Sequence, residues 1–225
     1  MSAPSESRSS VLLGATGLVG GHCLDRLLGD AAYGRVMVLG RRASGREHPR
    51  LEERVGEVEG LLDEHASALA GADVFCCVGT TIRAAGSQEA FRRVDYDLPV
   101  KAARVASAAG ARQFLLVSAA GADAGSRIFY NRVKGETEAA VAALPFQGVA
   151  LLRPSLLLGE RAERRPAEAL AQRVAPLMSP LLRGPLRRYR AIHADTVAAA
   201  LVRLAKEGVA GTRIVESDQI ERLGR

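Results

Sequence analysis

The segment VLLGATGLVGGHCLDRLL, Val11–Leu28, constrains the fold more than any other part of the chain. Val11, Leu12 and Leu13 form a short apolar run that reads as a strand. Gly14, Gly17 and Gly20 punctuate the turn that follows. Leu18, Val19, Leu24, Leu27 and Leu28 then recur at helical spacing. A strand, a glycine turn and a helix in this order build a diphosphate site. Glycine permits the tight turn and lets backbone approach the ligand with no side chain between them. The helix start offers unpaired N–H groups and the positive end of the dipole. The spacing is GxxGxxG, not GxGxxG, and it takes its meaning from the flanking strand and helix. Gly14, Thr16, Gly17, Leu18 and Val19 are the expected diphosphate cradle.

The rest of the chain continues the alternation. Apolar strands are expected at Arg35–Leu39, Asp73–Val78, Gln113–Ser118 and Val149–Leu152, with a late one at Thr212–Val215. Leu51–Val58 is a weaker, more polar strand candidate. Helices are expected near Leu61–Leu69, Glu89–Ala109, Phe129–Leu144, Pro166–Met178 and Asp195–Lys206, with Pro99 kinking the second. Strands apolar throughout and separated by helices imply an α/β fold, a doubly wound parallel sheet covered on both faces. The stretches AGSQ, AAGAD and GER read as loops, so residues 1–225 are expected to form one domain. Residues 155–190, irregular and rich in Pro, Arg and Leu, would form a small C-terminal substrate lobe over the carboxyl edge of the sheet.

Charge and cysteine usage narrow the class. No apolar run approaches the roughly 18 residues of a membrane span, and the polar start MSAPSESRSS lacks the apolar core of a secretion signal. Cys23, Cys76 and Cys77 make an odd count in no metal-ligand spacing, so no metal is expected and a reducing, cytoplasmic setting is. The net charge of +6 matches that of residues 161–190 alone, which hold eight arginines and two acids. Few aromatics lie among those arginines, which argues against nucleic-acid binding by base stacking. The chain uses 28 Arg and three Lys, so each lysine stands out.

Arg41 and Arg42 follow the second strand, 21 and 22 residues after Gly20. An acid in this region favours a free ribose 2′-hydroxyl, whereas arginine pairs with a 2′-phosphate. Two arginines and no acid therefore favour NADP(H) over NAD. Gly79, Thr80 and Thr81 leave the Asp73–Val78 strand and would form a cofactor wall. Tyr130 and Lys134 are spaced i, i+4 and share one helix face. A nearby ammonium favours the phenolate, which lowers the tyrosine pKa toward working pH. Such a tyrosine exchanges a proton with a carbonyl or alcohol while hydride moves to or from nicotinamide, and the lysine can hold the nicotinamide ribose. Ser118, at the end of the preceding strand, would bond the substrate oxygen. His193 could face the substrate, and Asp195 beside it would serve as an N-cap or first-turn acid. No GxSxG elbow accompanies Ser118, which disfavours a hydrolase.

These motifs together resemble the short-chain dehydrogenase/reductase superfamily, in its atypical GxxGxxG branch, and within it the Tat-interacting-protein-like NADPH oxidoreductases. The resemblance runs through GATGLVGG, CCVGTT, FRRVDYD, SAAGAD, FYNRVKGETE, LRPSLLLGER and ESDQI. It implies a Rossmann-like fold, NADPH as cofactor and Ser118, Tyr130 and Lys134 as a catalytic triad. It also implies that Cys77 and Val78 lead into the cofactor wall, that Glu57 and Val58 line the adenine, and that Arg153, Pro154 and Ser155 lie near the nicotinamide. The expected activity is hydride transfer between NADPH and a small carbonyl or alcohol, by a monomer or homodimer. The rival expectation is an NADPH-sensing binding protein that acts on a macromolecular partner through residues 161–190.

Overall fold

The computed structural model describes residues 7–159 and 190–225. Strands β1 (Arg8–Leu13), β2 (Tyr33–Gly40), β3 (Leu51–Val55), β4 (Asp73–Cys76), β5 (Gln113–Val117), β6 (Gly148–Arg153) and β9 (Gly211–Glu216) form one parallel sheet. Its order is β3-β2-β1-β4-β5-β6-β9. A short second sheet pairs β7 (Leu157–Leu158) with β8 (Ile192–His193).

Helix α1 (Leu18–Gly29) joins β1 to β2, and α2 (Val58–Glu64) follows β3. Helices α3 (Ile82–Ala85), α4 (Gln88–Arg92) and α5 (Leu98–Ala108) lie between β4 and β5. Helix α6 (Phe129–Ala142) precedes β6, while α7 (Ala194–Glu207) and α8 (Ser217–Leu223) flank β9.

The central strands β1, β2, β4, β5 and β6 carry continuous apolar runs because both faces are covered, while the outer strands β3 and β9 are more polar. Leu12, Val36, Phe75, Leu115, Ala150 and Leu152 face α1 and α7. Val11, Leu13, Met37, Val74, Phe114 and Leu151 face α2, α5 and α6. The sheet order reverses between β1 and β4, and in such sheets the crevice beyond the strand carboxyl ends at that point takes the ligand.

The amino end of the sheet is closed by a buried ionic knot. Asp73 is fully buried and accepts bonds from Tyr33 Oη at 2.9 Å, Gln113 Nε2 at 2.7 Å and Arg112 Nε at 2.8 Å. Arg112, Gln113 and Arg8 also donate to the carbonyl oxygen of Ala205, and Arg8 to that of Lys206. The last turn of α7 thus has its orphan carbonyls filled by side chains, two of them cationic.

Several sequence expectations need correction. The strand expected at Leu51–Val58 stops at Val55, because Glu57 caps α2 and Val58 is its first residue. Val58, Leu61 and Leu62 have helical spacing and pack toward the sheet, so the helix expected from Leu61 starts earlier; it ends at Glu64 and a 3-10 turn, Ala66–Leu69, completes the connection. The single helix expected at Glu89–Ala109 is three segments. A π turn at Arg93–Asp97 sits between α4 and α5 and takes up the distortion immediately before Pro99. The loop expected at AGSQ is present but shorter, a two-residue bend in which Gly86, at φ +83°, ends α3 and Ser87 caps α4. The helix expected at Pro166–Met178, and nearly all of the lobe and basic stretch, lie outside the described residues.

Candidate active site

The turn between β1 and α1 is built by close backbone packing. Gly14 has φ +85°, and a Cβ there would lie 2.7 Å from the Cys77 carbonyl carbon. A Cβ at Gly20 would lie 2.0 Å from the Gly14 carbonyl oxygen. Gly17 caps α1 with no side-chain bond to the helix N–H groups, and no acid stands in the first turn. The positive end of a 12-residue helix is therefore left without an anionic partner from its own cap or first turn, which fits a diphosphate. Arg41 and Arg42 follow β2, are exposed, and pair with no carboxylate among the described residues. Their neighbour Arg46, by contrast, is tied to Asp25.

At the carboxyl end of β4, Gly79 and Thr80 meet α6. Lys134 is buried, and its Nζ lies 2.7 Å from Asp95 Oδ1. The other Asp95 oxygen accepts the Thr80 N–H at 2.8 Å. A Cβ at Gly79 would lie 3.4 Å from Asp95 Oδ1 and 3.6 Å from Lys134 Nζ, so the Gly79 backbone sits directly against this ion pair. Thr81 caps α3 by accepting the Ala84 N–H. Phe91 packs on the Tyr130 ring, with centroids 5.4 Å apart. Two residues four apart, Phe91 and Asp95, thus meet two residues four apart, Tyr130 and Lys134.

The electrostatics correct one expectation. Tyr130 does not have a lowered pKa in this arrangement. Burial raises it, Lys134 pulls it down and Asp95 raises it again, with a net upward shift. Burial lowers the Lys134 pKa, but Asp95 and Tyr130 outweigh that effect and the ammonium is favoured. The lysine's charge is therefore divided between two groups. Sequence reasoning quoted FRRVDYD but gave Asp95 no role. The available signal was an acid four residues after Phe91 and four before Pro99.

Ser118 follows β5 and donates its backbone N–H to Leu152. Its hydroxyl oxygen is buried and has no hydrogen-bond partner among the described residues. Ala120 N–H bonds to the Pro154 carbonyl, so the loops after β5 and β6 run side by side. Within the second loop the Arg153 guanidinium is engaged by Glu138 and Glu216. Ser155 is held by Ser217 and the Arg190 carbonyl. His193 is exposed in β8, where it pairs with Leu158. Asp195 is a first-turn acid in α7 and pairs with Arg26 at 2.7 Å. Glu57 is exposed and Val58 is buried. Burial pushes the Cys76 thiol up to about 12, and Cys77 is raised by a hydrogen bond with Cys23 and by burial, so both remain free thiols. Among the described residues no group of His, Cys, Asp and Glu could hold a metal, and no helix is long and apolar enough to cross a membrane.

A parallel sheet in this order, with an uncompensated helix start at its switch point, is the architecture of a dinucleotide-binding protein. The chain belongs to the NAD(P)H-binding family, whose profile matches residues 14–144, and its cofactor is a nicotinamide dinucleotide. It is 37% identical over 224 residues to Protein HTATIP2 of Rattus norvegicus, covering 98% of this chain and 90% of that one. It is 35% identical to Protein fmp52, mitochondrial, of Aspergillus niger, covering 93% and 92%. Among solved structures, MoeE5 in complex with UDP-glucose and NAD matches with a TM-score of 0.68 at 16% identity, over 94% of this chain and 79% of that one. The Bordetella bronchiseptica enzyme WbmH in complex with NAD+ matches with a TM-score of 0.69 at 15% identity, over 93% and 75%. Both structural matches share the Rossmann-like fold with this chain.

Proposed function

We propose that this protein is an NADP(H)-dependent oxidoreductase of the short-chain dehydrogenase/reductase kind, which reduces a small carbonyl compound. One observation carries the reading: a buried lysine ammonium lies one helical turn from a tyrosine and beside the glycine corner at the carboxyl end of β4. In this reading the bound cofactor supplies hydride. Tyr130 gives its proton to the substrate oxygen, and the upward pull on its pKa favours the protonated phenol that this direction requires. Ser118, whose hydroxyl has no partner among the described residues, donates to the same oxygen. Lys134 holds the nicotinamide ribose. Gly14, Thr16, Gly17, Leu18 and Val19 cradle the diphosphate, and Arg41 and Arg42 take the 2′-phosphate.

The test is a fluorescence titration with NADPH and NADH, followed by a screen of aldehydes, ketones and quinones for oxidation of the bound nucleotide. Tyr130→Phe should bind NADPH like the parent and reduce the best substrate about 10²–10⁴-fold more slowly. Equal rates would overturn the assignment.

A further inference from the structure

We propose that Asp95 is a positioning residue of this site: ion-paired with Lys134 and accepting the Thr80 amide N–H, it divides the lysine's charge between itself and Tyr130 and holds the cofactor wall against that lysine. The inference rests on the reading of Tyr130 as proton donor and adds the group that sets its working state.

The local chemistry explains why an aspartate reaches this point. Asp95 lies in the middle of the π turn, which carries one residue more per turn than the α-helices on either side. Four residues on stands Pro99, whose ring nitrogen has no proton for the Asp95 carbonyl. That carbonyl takes a bond from Thr137 Oγ1 at 2.8 Å instead. Thr137 lies three residues after Lys134 on α6, so one helix supplies partners to both the backbone and the side chain of Asp95. The aspartate is 1% exposed and its carboxylate lies among an ammonium, a backbone amide and a glycine.

Charge bookkeeping around the phenol is short. Lys134 faces Tyr130 from its own helix, Asp95 faces it from the π turn, and Phe91 presents a neutral ring. Cys76 of β4 faces Lys134 and is a neutral thiol. Glu136 on α6 is occupied by Arg92 at 2.5 Å. With Asp95 anionic, much of the ammonium's field ends on the carboxylate and Tyr130 keeps its proton. With an amide in place of that carboxylate, the field falls on the phenol and favours phenolate as the lysine's counter-ion. Asp95 therefore biases the site toward donating a proton, the direction of carbonyl reduction.

The experiment is an alkaline titration of the tyrosinate ultraviolet band in the full chain, which has four tyrosines and no tryptophan to obscure them. The component missing from Tyr130→Phe is that of Tyr130. In Asp95→Asn, whose amide oxygen still accepts from Thr80, this component should move to lower pH. The alkaline limb of carbonyl reduction should move with it. A purely structural role would lower the melting temperature and leave the titration in place. An unmoved component in folded Asp95→Asn overturns the proposal. If Asp95→Asn does not hold its fold, the neutral pair Asp95→Asn/Lys134→Met should regain most of the parent's melting temperature. A double variant no more stable than the single one overturns the proposal as well. Carbonyl reduction that survives Tyr130→Phe defeats the catalytic reading alone, since the shift in Asp95→Asn is still read directly from the phenol.

Discussion

Two buried aspartates of opposite purpose stand near the two ends of strand β4. Asp73 begins the strand at the amino edge of the sheet, and Asp95 closes the corner beyond its carboxyl edge. Neither is more than 1% exposed. Asp73 is saturated by side chains from three strand ends or flanks, Tyr33, Arg112 and Gln113, and two of these also fasten the end of α7. Asp95 has one cation and one amide, and the surrounding groups are left with unused capacity: the Ser118 oxygen has no partner among the described residues and Lys134 is divided between two neighbours. A buried polar network that is fully satisfied serves rigidity, whereas one kept incomplete is poised to receive something. The same strand thus ties the fold together at one end and presents chemistry at the other.

That contrast is broken most easily by exchanging the two phenotypes. Tyr130→Phe, at the open end, should cost about 10²–10⁴ in turnover, on the order of 3–5 kcal/mol of barrier. Its effect on stability should be small, because the ring still packs on Phe91. Asp73→Ala, at the closed end, should do the reverse. It leaves the Tyr33 hydroxyl, the Gln113 amide and the Arg112 guanidinium without their common acceptor, which costs about 3 kcal/mol of unfolding free energy in a urea titration. NADPH affinity measured on the folded protein should stay within about twofold, well under the 1.4 kcal/mol of a tenfold change. A cofactor defect in Asp73→Ala would show that the two ends are coupled through β4.

The sheet was largely legible in the chain, because burial on both faces writes itself as continuous apolar runs, whereas the Asp73 knot at its closed end, made by residues far apart in sequence, was not. Each strand of the large sheet was foreseen in place, to within a few residues at its ends. What escaped was governed by contacts between segments distant in sequence. Glu57 and Val58 alternate with their neighbours as a strand would, yet the apolar spacing of Val58, Leu61 and Leu62 wins once α2 packs on the sheet. Pro99 announced a distortion, but only the packing of α6 against Asp95 shows that it is resolved one turn earlier as a π turn. Tyr130 and Lys134 could be paired by counting, whereas the sign of the phenol's shift depends on Asp95, whose approach no local spacing reveals. The short helix Ser217–Leu223 was missed although Glu216 and Gln219 form a capping box in the sequence.

A smaller effect sharpens the open end. Arg41 and Arg42 are exposed and carry no structural bond with a carboxylate among the described residues, so Arg41→Ala/Arg42→Ala should leave stability nearly unchanged. If they hold the 2′-phosphate, NADPH should bind about tenfold more weakly, near 1.4 kcal/mol, while NADH binding is unaltered. Parallel weakening of both nucleotides would count against a role in 2′-phosphate recognition.

The smallest effect lies at the closed end and is read by pH. Tyr33 is fully buried, and burial first, then the charge of Asp73, holds its pKa well above the ordinary value. In the unfolded chain the phenol titrates near pH 10. A group whose pKa is raised by folding contributes its full stability below the unfolded value, and loses it as pH climbs toward the folded one. The parent should therefore weaken progressively above about pH 10 as the unfolded phenol ionises and the folded one resists. Tyr33→Phe keeps the edge-on packing against Phe75 and removes only the hydroxyl. It should cost about 1 kcal/mol at neutral pH and flatten the alkaline decline. Urea midpoints followed from neutral to alkaline pH measure both. If the slope is unchanged in the variant, the alkaline weakness belongs to other groups, and Tyr33 is no more than one donor among those that hold Asp73.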